Sequence, residues 1–177
     1  RGDHRGRGSV QRRDLMFPDA LLSEAKALLS MAREKGVHIA TAESCTGGLI
    51  AALLTEIPGS SDVVERGFVT YSNQAKQGLL GVPPSLLAEH GAVSAPVARA
   101  MADGALKNSG AQLSVAVTGI AGPAGGGAEK PVGLVYIAAA RLSGDTIVRE
   151  HRFGDIGRHA VRMATVREAL SLLRTAL

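Results

Sequence analysis

The chain has 177 residues, 45% apolar and 20% charged, the balance of an ordinary globular protein long enough to bury a core. No run approaches the roughly 18 apolar residues of a membrane span, and three Phe, two Tyr and no Trp are too few rings for a single-stranded nucleic-acid platform, where bases stack on aromatics. The formal charge of +4 hints at nucleic acid until it is located: residues 1–14 hold five Arg and two Asp, a net of +3, which leaves +1 for the remainder.

Residues 1–14 (RGDHRGRGSVQRRD) are Gly- and Arg-rich without apolar periodicity, and are expected to be a disordered or vector-derived basic tail ahead of a single domain over residues 15–177. The lone Cys45 excludes an intrachain disulfide and fits a reducing compartment. With no recognisable signal peptide, the expected location is the cytoplasm.

Asp19 to Lys35 places Leu21, Leu22, Ala25, Leu28, Leu29 and Ala32 at helical spacing, with Gly36 as the stop. Val37 to Ala42 reads as a buried strand. The octet Thr41-Ala42-Glu43-Ser44-Cys45-Thr46-Gly47-Gly48 then leads into an apolar helix from Leu49 to Ile57, so the octet is a strand-to-helix turn. The first N–H groups of a helix lack intrahelical partners, and a hydroxyl held there sits beside donors for an anion or a developing oxyanion. Ser44 is the candidate hydroxyl; Ser44 or Thr46 could equally cap the helix.

Val63 to Tyr71 reads as a second strand, Asn73 to Leu80 and Pro83 to His90 as short helices, and Ala95 to Asn108 as a longer helix capped by Ser94. Leu113 to Val117 is a continuous apolar strand of the kind buried on both faces. It runs into a Gly-rich loop, Thr118 to Gly127. Val132 to Arg141 and Thr146 to Phe153 form a hairpin, and Arg158 to Leu177 a last amphipathic helix. The alternation predicts an α/β fold, a three-layer α/β/α sandwich on a mixed, mostly parallel sheet of five strands.

Sites in open α/β sheets form at the carboxyl ends of strands. Three such ends carry polar residues here: Glu43 and Ser44, Tyr71, and Thr118 with its glycines. Lys76 lies five residues past Tyr71, inside the next helix, and can reach back over the same edge. A Ser hydroxyl needs a base to become a nucleophile, and a Lys whose pKa is lowered by desolvation can serve. Ser44, Lys76 and Tyr71 would together suffice for acyl transfer. Arg158, at the start of the last helix, could bind a phosphate, while Arg162 one turn on reads as a surface charge. Cys45 is the rival nucleophile. The five His are scattered without metal-ligand spacing, so neither a metal nor a cofactor is expected.

The segments TAESCTGGLIAALL (41–54), PGSS (58–61), RGFVTYSNQAKQGLLGV (66–82), HGAVS (90–94), VTGIAGPAGG (117–126) and KPVGLVY (130–136) resemble the CinA C-terminal domain family. That family includes stand-alone nicotinamide mononucleotide deamidases. The resemblance implies hydrolysis of a pyridine-nucleotide carboxamide to the carboxylate and ammonia in nucleotide salvage. It implies Ser44 as nucleophile with Tyr71 and Lys76 assisting, and substrate contacts from Thr46, Gly47, Thr118, Gly119, Gly122 and Arg158. The fit is looser around Arg158, where Phe153-Gly154-Asp155-Ile156-Gly157-Arg158 departs from the family's tighter pattern. A small-molecule pyridine mononucleotide is the expected partner, with no nucleic acid or membrane and with room for a homodimer. The large N-terminal domain of full-length members is not part of this sequence, and no pyrophosphatase activity of that type is expected. The competing expectation is a catalytically silent nucleotide-binding or competence-associated regulatory module.

Overall fold

A computed structural model describes residues 16–177; the basic tail at 1–14 lies outside the described residues. Helix α1 (Asp19–Glu34) buries the apolar stripe read from its sequence and ends at Gly36, whose φ of +64° is a left-handed stop. Strand β1 (Ile39–Glu43) follows. It starts two residues later than Val37 because the Val37 N–H donates to Ala32 O at 2.9 Å, closing the helix end instead of joining the sheet.

Helix α2 (Leu49–Thr55) and a short 3₁₀ turn (Ser60–Asp62) lead to β2 (Val64–Val69). This strand stops short of Tyr71 because the chain turns to start α3 (Asn73–Leu80), where the Ser72 hydroxyl accepts from Ala75 N–H at 3.0 Å. Helices α4 (Pro84–His90) and α5 (Ala95–Lys107) precede β3 (Leu113–Gly119). Ser94 caps α5 as expected. The hairpin of β4 (Leu134–Arg141) and β5 (Ile147–Arg152) and the long α6 (Arg158–Ala176) complete the order.

The sheet runs β2-β1-β3-β4-β5, with β2, β1 and β3 mutually parallel and the hairpin antiparallel. β5 thereby returns to the direction of β3, and only β4 runs against the rest. β1, flanked by parallel partners and covered on both faces, is buried at all five residues.

The two faces differ in side-chain size. Ile39, Val115, Val117, Val135 and Ile137 pack under α1, α2 and α6. Ala40, Ala42, Ala116, Ala138 and Ala140 form the opposite face under α5, which contributes Val97, Met101 and Ala105. Alanines let α5 lie close on the sheet, and Gly104 of α5 lets it meet α3, since a Cβ there would collide with the Leu80 carbonyl. The result is an α/β/α sandwich in which β1, β2 and β3 bring their carboxyl ends to one edge. Among the described residues no helix is long and apolar enough to cross a membrane.

Candidate active site

The turn after β1 is held by contacts to α2 and from α6, on one face of the sheet. Glu43, fully buried, accepts from the Thr46 hydroxyl at 2.6 Å, Ile50 N–H at 2.8 Å and Ala51 N–H at 3.1 Å. The expected capping by Ser44 or Thr46 is therefore replaced: a carboxylate seven residues upstream takes the free donors of α2, a favourable place for negative charge. Thr46 orients that carboxylate, and the residue flanking the helix is Gly48, with φ +106°. From α6, Arg162 donates to the carbonyls of Cys45 and Thr46, both at 3.1 Å. It is a clasp on the turn, not the free surface charge its position suggested.

With the α2 amides occupied, the donors left for an anion beside Ser44 lie in the turn itself. The N–H groups of Cys45 and Thr46 donate to no carbonyl among the described residues. Gly47 closes the turn through its own N–H to Ser44 O at 3.0 Å.

Ser44 leaves the sheet on the α5 face. Ala42 pairs with Phe68 of β2 and Ala116 of β3, so the next residues on that face, Thr70, Ser44 and Thr118, form a row of hydroxyls across three strand ends. Into this row comes Lys76 of α3. Its Nζ lies 3.0 Å from Ser44 Oγ and donates to Thr70 O at 2.9 Å. Lys76 is only 1% exposed, and desolvation lowers its pKa below the ordinary lysine value, with the Cys45 thiol a weaker opposing influence. Among the described residues it has no carboxylate partner within salt-bridge distance. Cys45 is also buried, and burial pushes its thiol up to about 12; at neutral pH it carries almost no thiolate, the reactive form.

A cavity of about 210 Å³ joins Ser44, Tyr71, Lys76, Thr118, Gly119 and Arg158, together with Asn73, which the sequence reading passed over. The Thr118 hydroxyl donates to Ala92 O at 2.9 Å, tying the α4–α5 connection to the cavity wall. Tyr71 stands at the mouth, 64% exposed, and its hydroxyl accepts from Arg158 at 3.1 Å. Among the described residues the Tyr71 hydroxyl thus bonds Arg158 and not Lys76. Arg158 also donates to Gly122 O at 2.8 Å, so Gly122 meets the site through a carbonyl. The rest of the Gly-rich loop, Pro123 to Gly127, lines a separate groove of about 520 Å³ with Arg152 and Asp155. The Thr46 side chain bonds Glu43 and its carbonyl accepts from Arg162, which also lies beside Gly47.

A buried Ser–Lys pair at the carboxyl edge of a mixed α/β/α sheet, with an arginine at its mouth, defines the architecture. The chain belongs to the CinA C-terminal domain family, whose model matches residues 22–177. It is 55% identical over 144 residues to a CinA-like protein of Anaeromyxobacter dehalogenans, covering 81% of this chain and 35% of that protein. It is 54% identical over 151 residues to a CinA-like protein of Geobacter sulfurreducens, covering 85% and 36%. The chain thus spans about a third of the length of these curated relatives. Among solved structures, the competence/damage inducible protein CihA from Agrobacterium tumefaciens superposes with a TM-score of 0.89 at 53% identity, covering 91% of this chain and 98% of the other. A competence-damaged protein (CinA) superfamily protein from Escherichia coli gives 0.84 at 33% identity, covering 92% and 95%.

Proposed function

We propose that this domain is an amidohydrolase that converts nicotinamide mononucleotide to nicotinate mononucleotide and ammonia, with Ser44 as nucleophile and Lys76 as its base. The observation that carries this reading is the 3.0 Å approach of Lys76 Nζ to Ser44 Oγ in a buried cavity. A desolvated lysine without a carboxylate partner is suited to be neutral, and a neutral amine can take the serine proton.

The steps follow from the donors and acceptors at hand. Ser44 gives its proton to Lys76 and its oxygen bonds the carboxamide carbon, whose oxygen becomes an oxyanion beside the N–H groups of Cys45 and Thr46. The C–N bond then breaks as Lys76 returns the proton to the leaving nitrogen, which departs as ammonia. Water gives a proton to the same amine as its oxygen bonds the acyl carbon. The bond to Ser44 Oγ breaks, Lys76 returns the proton to Ser44, and the acid leaves as the carboxylate with its proton released to solvent.

A cavity of about 210 Å³ is smaller than the ~300–1,000 Å³ typical of small-molecule sites. It suits a single carboxamide-bearing ring, with the ribose and phosphate extending out past Tyr71 and Arg158. Arg158, bonded among the described residues to a carbonyl and a phenol, has no carboxylate partner there and is available to a phosphate. In this reading Tyr71 holds Arg158 in place.

The competence names of solved relatives favour a second reading, a nucleotide-binding regulatory module without turnover. Ammonia release from nicotinamide mononucleotide, compared with nicotinamide riboside and free nicotinamide, separates the two. The amidohydrolase reading expects turnover with preference for the phosphorylated substrate; no ammonia from any of the three contradicts it.

A further inference from the structure

Two side-chain atoms among the described residues are buried without a hydrogen-bond partner, the hydroxyls of Thr41 and Thr70. Unpaired buried hydroxyls destabilise a fold, so each needs a reason. By strand alternation Thr41 lies on the α2 face, away from the Ser–Lys pair. Thr70 lies in the row with Ser44, and it is the residue whose carbonyl already holds Lys76 Nζ at 2.9 Å.

Donor counting on Lys76 gives Thr70 a task. A neutral amine has two N–H groups and one lone pair; the Thr70 carbonyl takes one N–H, the Ser44 O–H can fill the lone pair, and the second N–H is left without an acceptor among the described residues. An ammonium has three N–H groups and no lone pair. The Thr70 carbonyl and Ser44 Oγ satisfy two. Among the described residues no third acceptor is bonded to Nζ, and a buried cation short of an acceptor is disfavoured.

We propose that Thr70 is a positioning residue whose hydroxyl accepts the remaining N–H of Lys76, a bond that strengthens when that amine is protonated. The proton taken from Ser44 then rests on a fully bonded ammonium until it passes to the leaving nitrogen. The inference rests on Lys76 being the base for Ser44. Of the other titratable groups near Nζ, Cys45 lies on the turn, Tyr71 follows β2 and Arg158 comes from α6, with Glu43 and Arg162 behind the turn; α4 and α5 bring none to the cavity among the described residues. Thr70→Val leaves all of them in place.

The test is a ¹³C NMR titration of lysine Cε in the full chain, with the Lys76 signal assigned by its loss in Lys76→Met. Thr70→Val, close in shape, is expected to lower the Lys76 pKa by about one unit, the scale of one hydrogen bond to a charged group. Thr70→Ala should do the same, which guards against a packing effect of valine. Thr70→Ser should restore the wild-type value, and Thr41→Val should leave it unchanged. The acid limb of kcat/KM for nicotinamide mononucleotide should move down in pH by the same amount in Thr70→Val. A Thr70→Val protein that titrates with the wild type, or a Thr70→Ser protein shifted as far as Thr70→Val, overturns the proposal. Should wild type release no ammonia while the NMR shift is present, the amidohydrolase reading fails and the Thr70–Lys76 contact stands.

Discussion

Glu43 and Ser44 are neighbours in the chain whose side chains leave the sheet on opposite faces. The Glu43 carboxylate closes the start of α2, while Ser44 Oγ meets Lys76 on the α5 side. The turn that presents the hydroxyl is thus anchored by the residue before it. Glu43→Ala strips the acceptor from two α2 amides and the Thr46 hydroxyl. Losing a buried cap of this kind costs about 3 kcal/mol, which for a chain of this size is a fall in Tm of roughly 10 °C. Thermal denaturation followed by far-UV circular dichroism checks this, and Glu43→Gln, which keeps one acceptor oxygen, should fall between.

Lys76 links the site to stability through pH. Its folded pKa is depressed, so between that value and the unfolded value of about 10.4 the unfolded chain holds more proton than the folded one. Stability from this residue therefore rises with pH across that window and levels off above it. The difference in unfolding free energy, wild type minus Lys76→Met, should increase as pH is raised from 7 towards 10 in urea titrations. A flat or falling difference would mean that Lys76 is charged in the folded state. Lys76→Met should also lose the chemical step while still binding substrate.

Arg158 joins the cavity mouth to the Gly-rich loop through Gly122 O and to Tyr71. Its replacement by alanine should raise KM for the mononucleotide by roughly one to two orders of magnitude, the loss of a charge-assisted contact to phosphate, with kcat changed only a few-fold. Turnover of nicotinamide riboside, which lacks the phosphate, should be nearly unaffected. Steady-state kinetics on the two substrates decides it.

The strand–turn–helix character of residues 37–57 and the order of elements were legible because each rests on local periodicity and punctuation by Gly and Pro. Lys76 was legible as a candidate because it stands five residues beyond a strand-end Tyr, though its burial was not. What escaped depends on parts far apart in the chain. Arg162 reaches the turn carbonyls across more than a hundred residues, and Glu43 caps a helix from the strand before it. The row of Thr70, Ser44 and Thr118 exists only once β2, β1 and β3 lie side by side. The placement of the Gly-rich loop was not legible either: beyond Gly122 it lines a groove apart from the Ser–Lys cavity.

The choice between Ser44 and its neighbour Cys45 carries the mechanism. A thiol pushed by burial up to about 12 carries almost no thiolate, the nucleophilic form, at neutral pH. The most direct measurement is the rate of ammonia release from nicotinamide mononucleotide by wild type, Ser44→Ala and Cys45→Ala at pH 7.5. Wild-type turnover, a loss of at least roughly a thousandfold in Ser44→Ala and near-normal activity in Cys45→Ala are predicted. An active Ser44→Ala enzyme beside an inactive Cys45→Ala enzyme would contradict the account.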